Sequence, residues 1–326
     1  MGTGWRALRR RILTPNVAET SLDKRGFHKK SPAAQELLET AGAMFLTGYA
    51  HAVEARSIEQ AEQWLEELPA QFRGFAYEGA GMGYAMLDGL PFGADDHVAR
   101  CLAGRGDRHV YMVYVGVGWA MARLPRFRWP KAASLDPLLS GLVLDGYGFH
   151  QAYFHTKKYV GQQYREEHFP WPANAGAEHA HHAIDQGIGR AMWFVGGTDV
   201  EVVTEMIGRF PEARQSDLYA GAGLASTYAG GVSEEELLLF RERAGANWPQ
   251  VAQASAFAAE ARVRAGLVIP HTGVATKVLC GMTPETAAQL THDVKSDLPV
   301  DGDLPAYEVW RQRTAAAFVS LERSST

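Results

Sequence analysis

Blocks of small and apolar residues alternate along this chain with shorter, charged blocks that open on helix-capping patterns. Residues 217–245, DLYAGAGLASTYAGGVSEEELLLFRERAG, show the grammar. A small-residue stretch ends at Gly230-Gly231. Ser233 then opens S-x-x-E with Glu236, a capping box in which each side chain satisfies the other residue's backbone N–H. Leu237, Leu238 and Phe240 follow, basic residues come late, and Gly245 is the stop. The segment reads as helix, tight turn, helix. Thr198-x-x-Glu201 predicts a helix ending before Pro211, and Ser57-x-x-Gln60 one ending at Pro69. Thr283-Pro284 starts another, with proline in the first turn, where its missing N–H costs nothing.

Upstream of these caps lie small-residue partners such as AGAMFLTGYAHAV, QGIGRAMWFVGG and HTGVATKVLCG. Five of the small-residue blocks carry a G-x-G pair: Gly79/Gly81, Gly116/Gly118, Gly146/Gly148, Gly187/Gly189 and Gly221/Gly223. Their steps are 37, 30, 41 and 34 residues. Gly42, 37 residues before Gly79, extends the register. A glycine inside a helix costs about 0.5–1 kcal/mol relative to alanine. Repeating that cost predicts close approach of helix backbones. Inner helices are therefore expected to pack on both sides, with capped, charged outer helices over them. In residues 109–124, HVYMVYVGVGWAMARL, β-branched and aromatic content favours a strand and the register favours a helix; helix is the expectation. The predicted fold is all-α: an α-helical repeat or superhelix of paired helices, TPR-like or HEAT-like, in a single compact domain over 31–326. Residues 1–30 are expected to form a basic N-terminal arm.

Composition narrows the class. Hydrophobic residues make up 46% of the 326 positions and charged ones 21%, which fits a soluble globular chain. A net charge of −5 argues against nucleic-acid binding. Two cysteines, Cys101 and Cys280, in unrelated contexts exclude a C-x-x-C site and suit a reducing, cytoplasmic location. No 18 apolar residues run together, so no membrane-spanning helix is expected. MGTGWRALRRRIL is basic without an apolar h-region, so it does not read as a secretory signal; Arg9, Arg10 and Arg11 beside Trp5, Leu8, Ile12 and Leu13 read as a short surface arm.

The glycine pairs lack the context of a dinucleotide fingerprint, which needs G-x-G-x-x-G between a strand and a helix. Gly187 follows HAHHAIDQ, and Tyr84 stands where the third glycine would follow Gly79/Gly81. No G-x-S-x-G or Walker A lysine motif occurs. His150, His155, His168, His179, His181 and His182 gather mid-chain, but without a metal-specific spacing, and no metal site is assigned. Polar residues precede most glycine pairs: Glu78, Asp145, and Asp185 with Gln186. Carboxylates on inner helices would be partly buried, which raises their pKa toward general acid–base use. Arg190 is a plausible ion-pair partner for Asp185. The candidate catalytic set is Glu78, Asp145, His150, Asp185 and Arg190. Aromatic residues also flank the glycines. Tyr77, Tyr84, Tyr111, Trp119, Tyr147, Tyr153 and Trp193 are the candidate lining of an apolar substrate pocket, and packing of the same residues as core is the competing reading.

The segments FRGFAYEGAGMGYAMLDGL, HVYMVYVGVGWAMARLPRF, LDGYGFHQAYFH, DQGIGRAMWFVGG, DLYAGAGLASTYAGG, KVLCGMTPE and YEVWRQRTAAAF together resemble the UnbL-type accessory proteins of enediyne biosynthesis, a domain family of unknown function, over residues 8–320. The resemblance implies a role beside an iterative enediyne polyketide synthase, with a larger soluble partner and a membrane partner. It implies help in converting a linear, highly unsaturated polyketide into the enediyne core. It carries over no catalytic residues and leaves any cofactor unknown. The expectation is an enzyme of core maturation acting on a polyene. A non-catalytic helical-repeat scaffold for the cassette proteins and a polyene-binding carrier are the alternatives.

Overall fold

The computed structural model describes residues 14–91, 96–130, 135–171, 179–298 and 304–325. Within them the chain is all-α, with no strand. The helices are α1 (Pro32–Glu54), α2 (Ile58–Glu66), α3 (Ala70–Asp88), α4 (His97–Ala103), α5 (Val110–Met121), α6 (Ser140–Phe154), α7 (Ala180–Val195), α8 (Val200–Gly208), α9 (Glu212–Tyr228), α10 (Glu234–Ala244), α11 (Trp248–Ala265), α12 (Pro270–Cys280), α13 (Pro284–Asp293) and α14 (Ala306–Ser325). The strand-like stretch around Val110–Met121 is thus helical, because its neighbours bury it on every side and burial overrides its β propensity.

The capping grammar mostly holds. Ser57 accepts from the Gln60 N–H, Thr283 from the Thr286 N–H, and Ser233 and Glu236 form the complete capping box. One cap moves: Asp199, not Thr198, caps α8, accepting from the N–H groups of Glu201 and Val202. Thr198 stands instead at φ 65°, in the turn that leaves α7.

The glycine pairs build a row of inner helices in the order α1, α3, α5, α6, α7, α9, α11. In each pair the first glycine meets the preceding inner helix and the second meets the next. A Cβ on Gly187 of α7 would stand 1.9 Å from the Asp145 carbonyl oxygen of α6, and one on Gly189 would stand 2.1 Å from the Leu218 carbonyl oxygen of α9. The pairs on α3, α5, α6 and α9 behave alike. Two positions apart on a helix is a rotation of about 200°, so G-x-G opens two nearly opposite faces to neighbouring backbones. The close approach gains dispersion contacts along both seams, which offsets the propensity cost. Gly48 rather than Gly42 plays this role on α1, lying against the Ala76 carbonyl; Gly42 instead receives the Thr20 side chain. On α11 no glycine answers Gly223, which faces Val251.

The row winds on itself. Tyr228 at the end of α9 packs its hydroxyl against Gly74 of α3. Arg262 of α11 donates to the Gln71 carbonyl at 2.9 Å, and Tyr111 of α5 donates to Glu260 at 3.0 Å. The last turns of α9 and α11 therefore lie against the first turns of α3 and α5, and the inner helices surround a central axis. The short helices α2, α4, α8 and α10 sit outside. The C-terminal helix α14 closes one end with Tyr307 and Trp310, both buried. Among the described residues no helix is long and apolar enough to cross a membrane. The basic stretch from Trp5 to Leu13 lies outside the described residues. The segment after it packs on the domain: Arg25 lies over the Phe154 ring at 4.4 Å and pairs with Glu19.

Candidate functional site

The two glycine faces of an inner helix leave one sector turned to the axis. It holds the residue before each pair and the residue three after its first glycine. In chain order these are Glu78 and Met82, Val115 and Trp119, Asp145 and Phe149, Gln186 and Arg190, Ala220 and Leu224. Helical periodicity thus brings together Glu78, Asp145, Gln186 and Arg190 from residues spread over more than a hundred positions.

All four are buried. Arg190 Nη2 lies 2.7 Å from Asp145 Oδ1 and 4.0 Å from Glu78 Oε1. Trp119 Nε1 donates to Glu78 Oε1 at 3.0 Å. Gln186 Nε2 donates to Asp145 Oδ2 at 2.7 Å and to the Tyr307 hydroxyl at 2.9 Å. The Arg190 guanidinium also lies over the Phe149 ring, 4.8 Å from its centroid. Two carboxylates therefore share one cation. Burial pushes the Glu78 carboxyl up to about 7; Arg190 and Trp119 pull it back, and the Asp145 charge pushes it up further. Burial raises Asp145 as well, against Arg190 and Gln186. Burial thus raises both carboxyls of the cluster, and it brings Glu78 near neutral pH.

Glu78 and Arg190 of this cluster stand in the wall of a cavity of about 480 Å³. Phe45 and Leu46 come from α1, Phe75 and Met82 from α3, Trp119 from α5 and Arg123 from the turn after it, Phe149, His150, Tyr153 and Phe154 from α6, and Phe194 from α7. Pro15, Glu19 and Thr20 complete the wall from the N-terminal segment. The size falls in the range of small-molecule sites, and the few polar groups in an otherwise aromatic and aliphatic lining are their usual arrangement. Arg190 and Asp145 also border a second cavity of about 40 Å³, whose other walls include Tyr111, Val115, Phe257 and Trp310. His150 is neutral in the main cavity: burial, with Arg123 and His155 nearby, lowers it to about 3.

Of the sequence candidates, Glu78, Asp145, Arg190 and His150 come to this one region, with Trp119 and Tyr153 in the main cavity and Tyr111 in the small one. Asp185 does not. It faces away from the axis, bound by Arg214 through Nε at 2.9 Å and Nη2 at 2.6 Å. Arg190 is therefore the partner of Asp145 and not of Asp185: one step along the helix turns a side chain by about 100°. Tyr77, Tyr84, Tyr147 and Trp193 also point outward. Tyr77 donates to Glu66 and stacks on His109, Tyr84 stacks on His97, Tyr147 packs on Phe169, and Trp193 donates to the Gly230 carbonyl. Met82, Phe45, Leu46 and Arg123 were not singled out by sequence; Met82 holds the same register position as Trp119, Phe149 and Arg190, and that register would have found it. Among the described residues no three His, Cys, Asp or Glu side chains form a metal-binding group. His182 instead pairs with Asp217 at 2.7 Å.

A family model described as "Protein of unknown function (DUF1702)" matches residues 4–318. No curated protein and no solved structure matches the chain.

Proposed function

The chain belongs to the DUF1702 family, and we propose that it is an enzyme that takes an elongated, highly unsaturated apolar molecule into the axial cavity and moves a proton on it through Glu78. The carrying observation is the convergence of Glu78, Arg190 and Asp145 within an aromatic wall. A general acid or base works best when its pKa lies near the working pH, and burial next to Asp145 brings Glu78 there. Arg190 pairs with Asp145 at 2.7 Å and stands 4.0 Å from Glu78, so the cation lies beside the acid that titrates near neutral pH. The apolar wall excludes water from a reactive polyene.

The pathway assignment, maturation of an enediyne core from the linear product of an iterative polyketide synthase, is carried by the sequence resemblance. The cavity suits it, because a conjugated chain needs a dry slot of aromatic and aliphatic side chains. The test is to incubate the purified protein with the polyene released by such a synthase and to follow the polyene absorption band. Wild-type protein should consume the band, and Glu78→Gln should slow this by about 10²-fold or more, as loss of a general acid–base does. Binding without any spectral change over hours would make the protein a carrier. No binding, combined with capture of the synthase, would make it a scaffold.

A further inference from the structure

Two buried polar atoms in the cavity wall have neither a hydrogen-bond nor an ion-pair partner: Arg190 Nε and His150 Nδ1. Both residues are 7% exposed. Buried donors and acceptors are nearly always paired in folded proteins, and an orphan is costly enough to need a reason. Nη2 of Arg190 is likewise without a hydrogen bond and is held by ion pairing alone. Nη2 faces Asp145 and Glu78, and the guanidinium plane rests on Phe149. The guanidinium thus carries N–H groups without a hydrogen-bond acceptor, on a residue that borders both cavities.

We propose that the ligand of the axial cavity carries one uncharged oxygen acceptor, a ketone- or aldehyde-type carbonyl conjugated to its chain, and that the Arg190 guanidinium is the group that receives it. The inference rests on the cavity reading above and specifies its ligand. Charge selects a carbonyl over a carboxylate. Asp145 and Glu78 already face the Arg190 guanidinium, so a further anion would meet two carboxylates and find no unmatched cation among the described residues of the inner wall. Arg123 does border the cavity, but it is an exposed residue at the solvent side. An acceptor on Arg190 would also bring the conjugated carbonyl beside Glu78, whose carboxyl can then give a proton to the oxygen or take one from a carbon the carbonyl acidifies. His150, neutral and also in the wall, is a second group for the oxygen end.

The experiment uses three synthetic probes of equal length, each with four conjugated double bonds: a hydrocarbon, the matching ketone and the matching carboxylate. Binding to the full-length protein is read by quenching of tryptophan fluorescence, since Trp119 lies in the wall. The ketone should bind at least about tenfold more tightly than the hydrocarbon or the carboxylate, the margin expected of one hydrogen bond from a charged donor. Arg190→Lys keeps a cation beside Asp145 but removes the planar guanidinium N–H groups, and should reduce that preference to less than about threefold. Should the variant fail to fold, the wild-type complex decides alone. The carbonyl stretch of a ¹³C-labelled ketone should move to lower wavenumber on binding relative to the ketone in hexane. Equal binding of ketone and hydrocarbon, tightest binding of the carboxylate, or an unshifted stretch would overturn the acceptor assignment and leave the cavity reading standing. Failure of all three probes to bind would overturn both.

Discussion

The indole of Trp119 donates to Glu78 Oε1 at 3.0 Å, so one of the largest residues in the cavity wall also pulls down the pKa of its acid. A hydrogen bond to a carboxylate favours the ionised form. Trp119→Phe keeps most of the ring volume and removes the N–H. The Glu78 pKa should then rise above its value of about 7, and more of the residue should be protonated at neutral pH. The infrared band of the protonated carboxyl, identified by its loss in Glu78→Gln, measures this directly. An unchanged titration would show that the indole does not tune Glu78.

The same acid makes stability depend on pH. The folded-state pKa of Glu78 lies above its ordinary value of 4.5, so the folded protein holds the proton more tightly than the unfolded chain. Stability is highest while the group is protonated in both states and falls as pH rises from 4.5 to about 7. Above that the loss is constant, at about 3 kcal/mol. Glu78→Gln mimics the protonated form. Its melting temperature should match wild type near pH 4.5 and exceed it increasingly up to pH 7, with a constant gap beyond. Parallel curves across this range would mean that Glu78 keeps water in the folded state.

The seams between inner helices predict opposite outcomes for one substitution at two places. In Gly187→Ala the new Cβ would fall 1.9 Å from a backbone oxygen of α6, so the two helices must separate. A loss of about 1–3 kcal/mol is expected, as for other overpacked cores. Gly273 lies inside α12, and a methyl group added there would meet nothing within 4 Å, so Gly273→Ala should gain about 0.5–1 kcal/mol from helix propensity alone. Urea titrations of both variants test the pair. Equal effects would show that helix propensity, and not interhelical contact, explains the glycines.

Much of this architecture is legible before folding. The caps at Ser57 and Ser233 mark outer helices, and the cap at Thr283 marks α13, because a cap is a local hydrogen bond between neighbours in sequence. The glycine pairs announce two-sided packing for a similar reason, since G-x-G fixes two faces of one helix. The register also turns Glu78, Asp145 and Gln186 toward a common side. What it does not show is which sector that side faces. Tyr77 and Tyr84 flank the same glycines as Met82, but one rotation step sends them against Glu66 and His97 instead of the cavity. The Gly48 seam is hidden too, because α1 carries only one of the two glycines and Gly42 imitates the spacing. The cavity wall contributed by Pro15, Glu19 and Thr20 comes from a segment with no repeat signature at all.

The two aspartates beside the glycine pairs should separate cleanly. Asp185 is buried and held at both oxygens by Arg214, away from the axis. Asp185→Asn leaves a buried guanidinium without its counter-charge, which typically costs about 3–5 kcal/mol. Its effect is on folding, so the Glu78 titration and probe binding should be unchanged in the folded fraction. Asp145→Asn acts through the site. The Asp145 charge raises the Glu78 pKa, so removing it should lower that pKa and leave Arg190 to stabilise the Glu78 carboxylate. The lower arm of the pH–activity profile should move to lower pH if Glu78 works as a base, and the upper arm should do so if it works as an acid. Measuring both variants at a temperature where each is folded distinguishes them. A pH profile displaced by Asp185→Asn and untouched by Asp145→Asn would place the chemistry on the Arg214 side of α7 and off the axis.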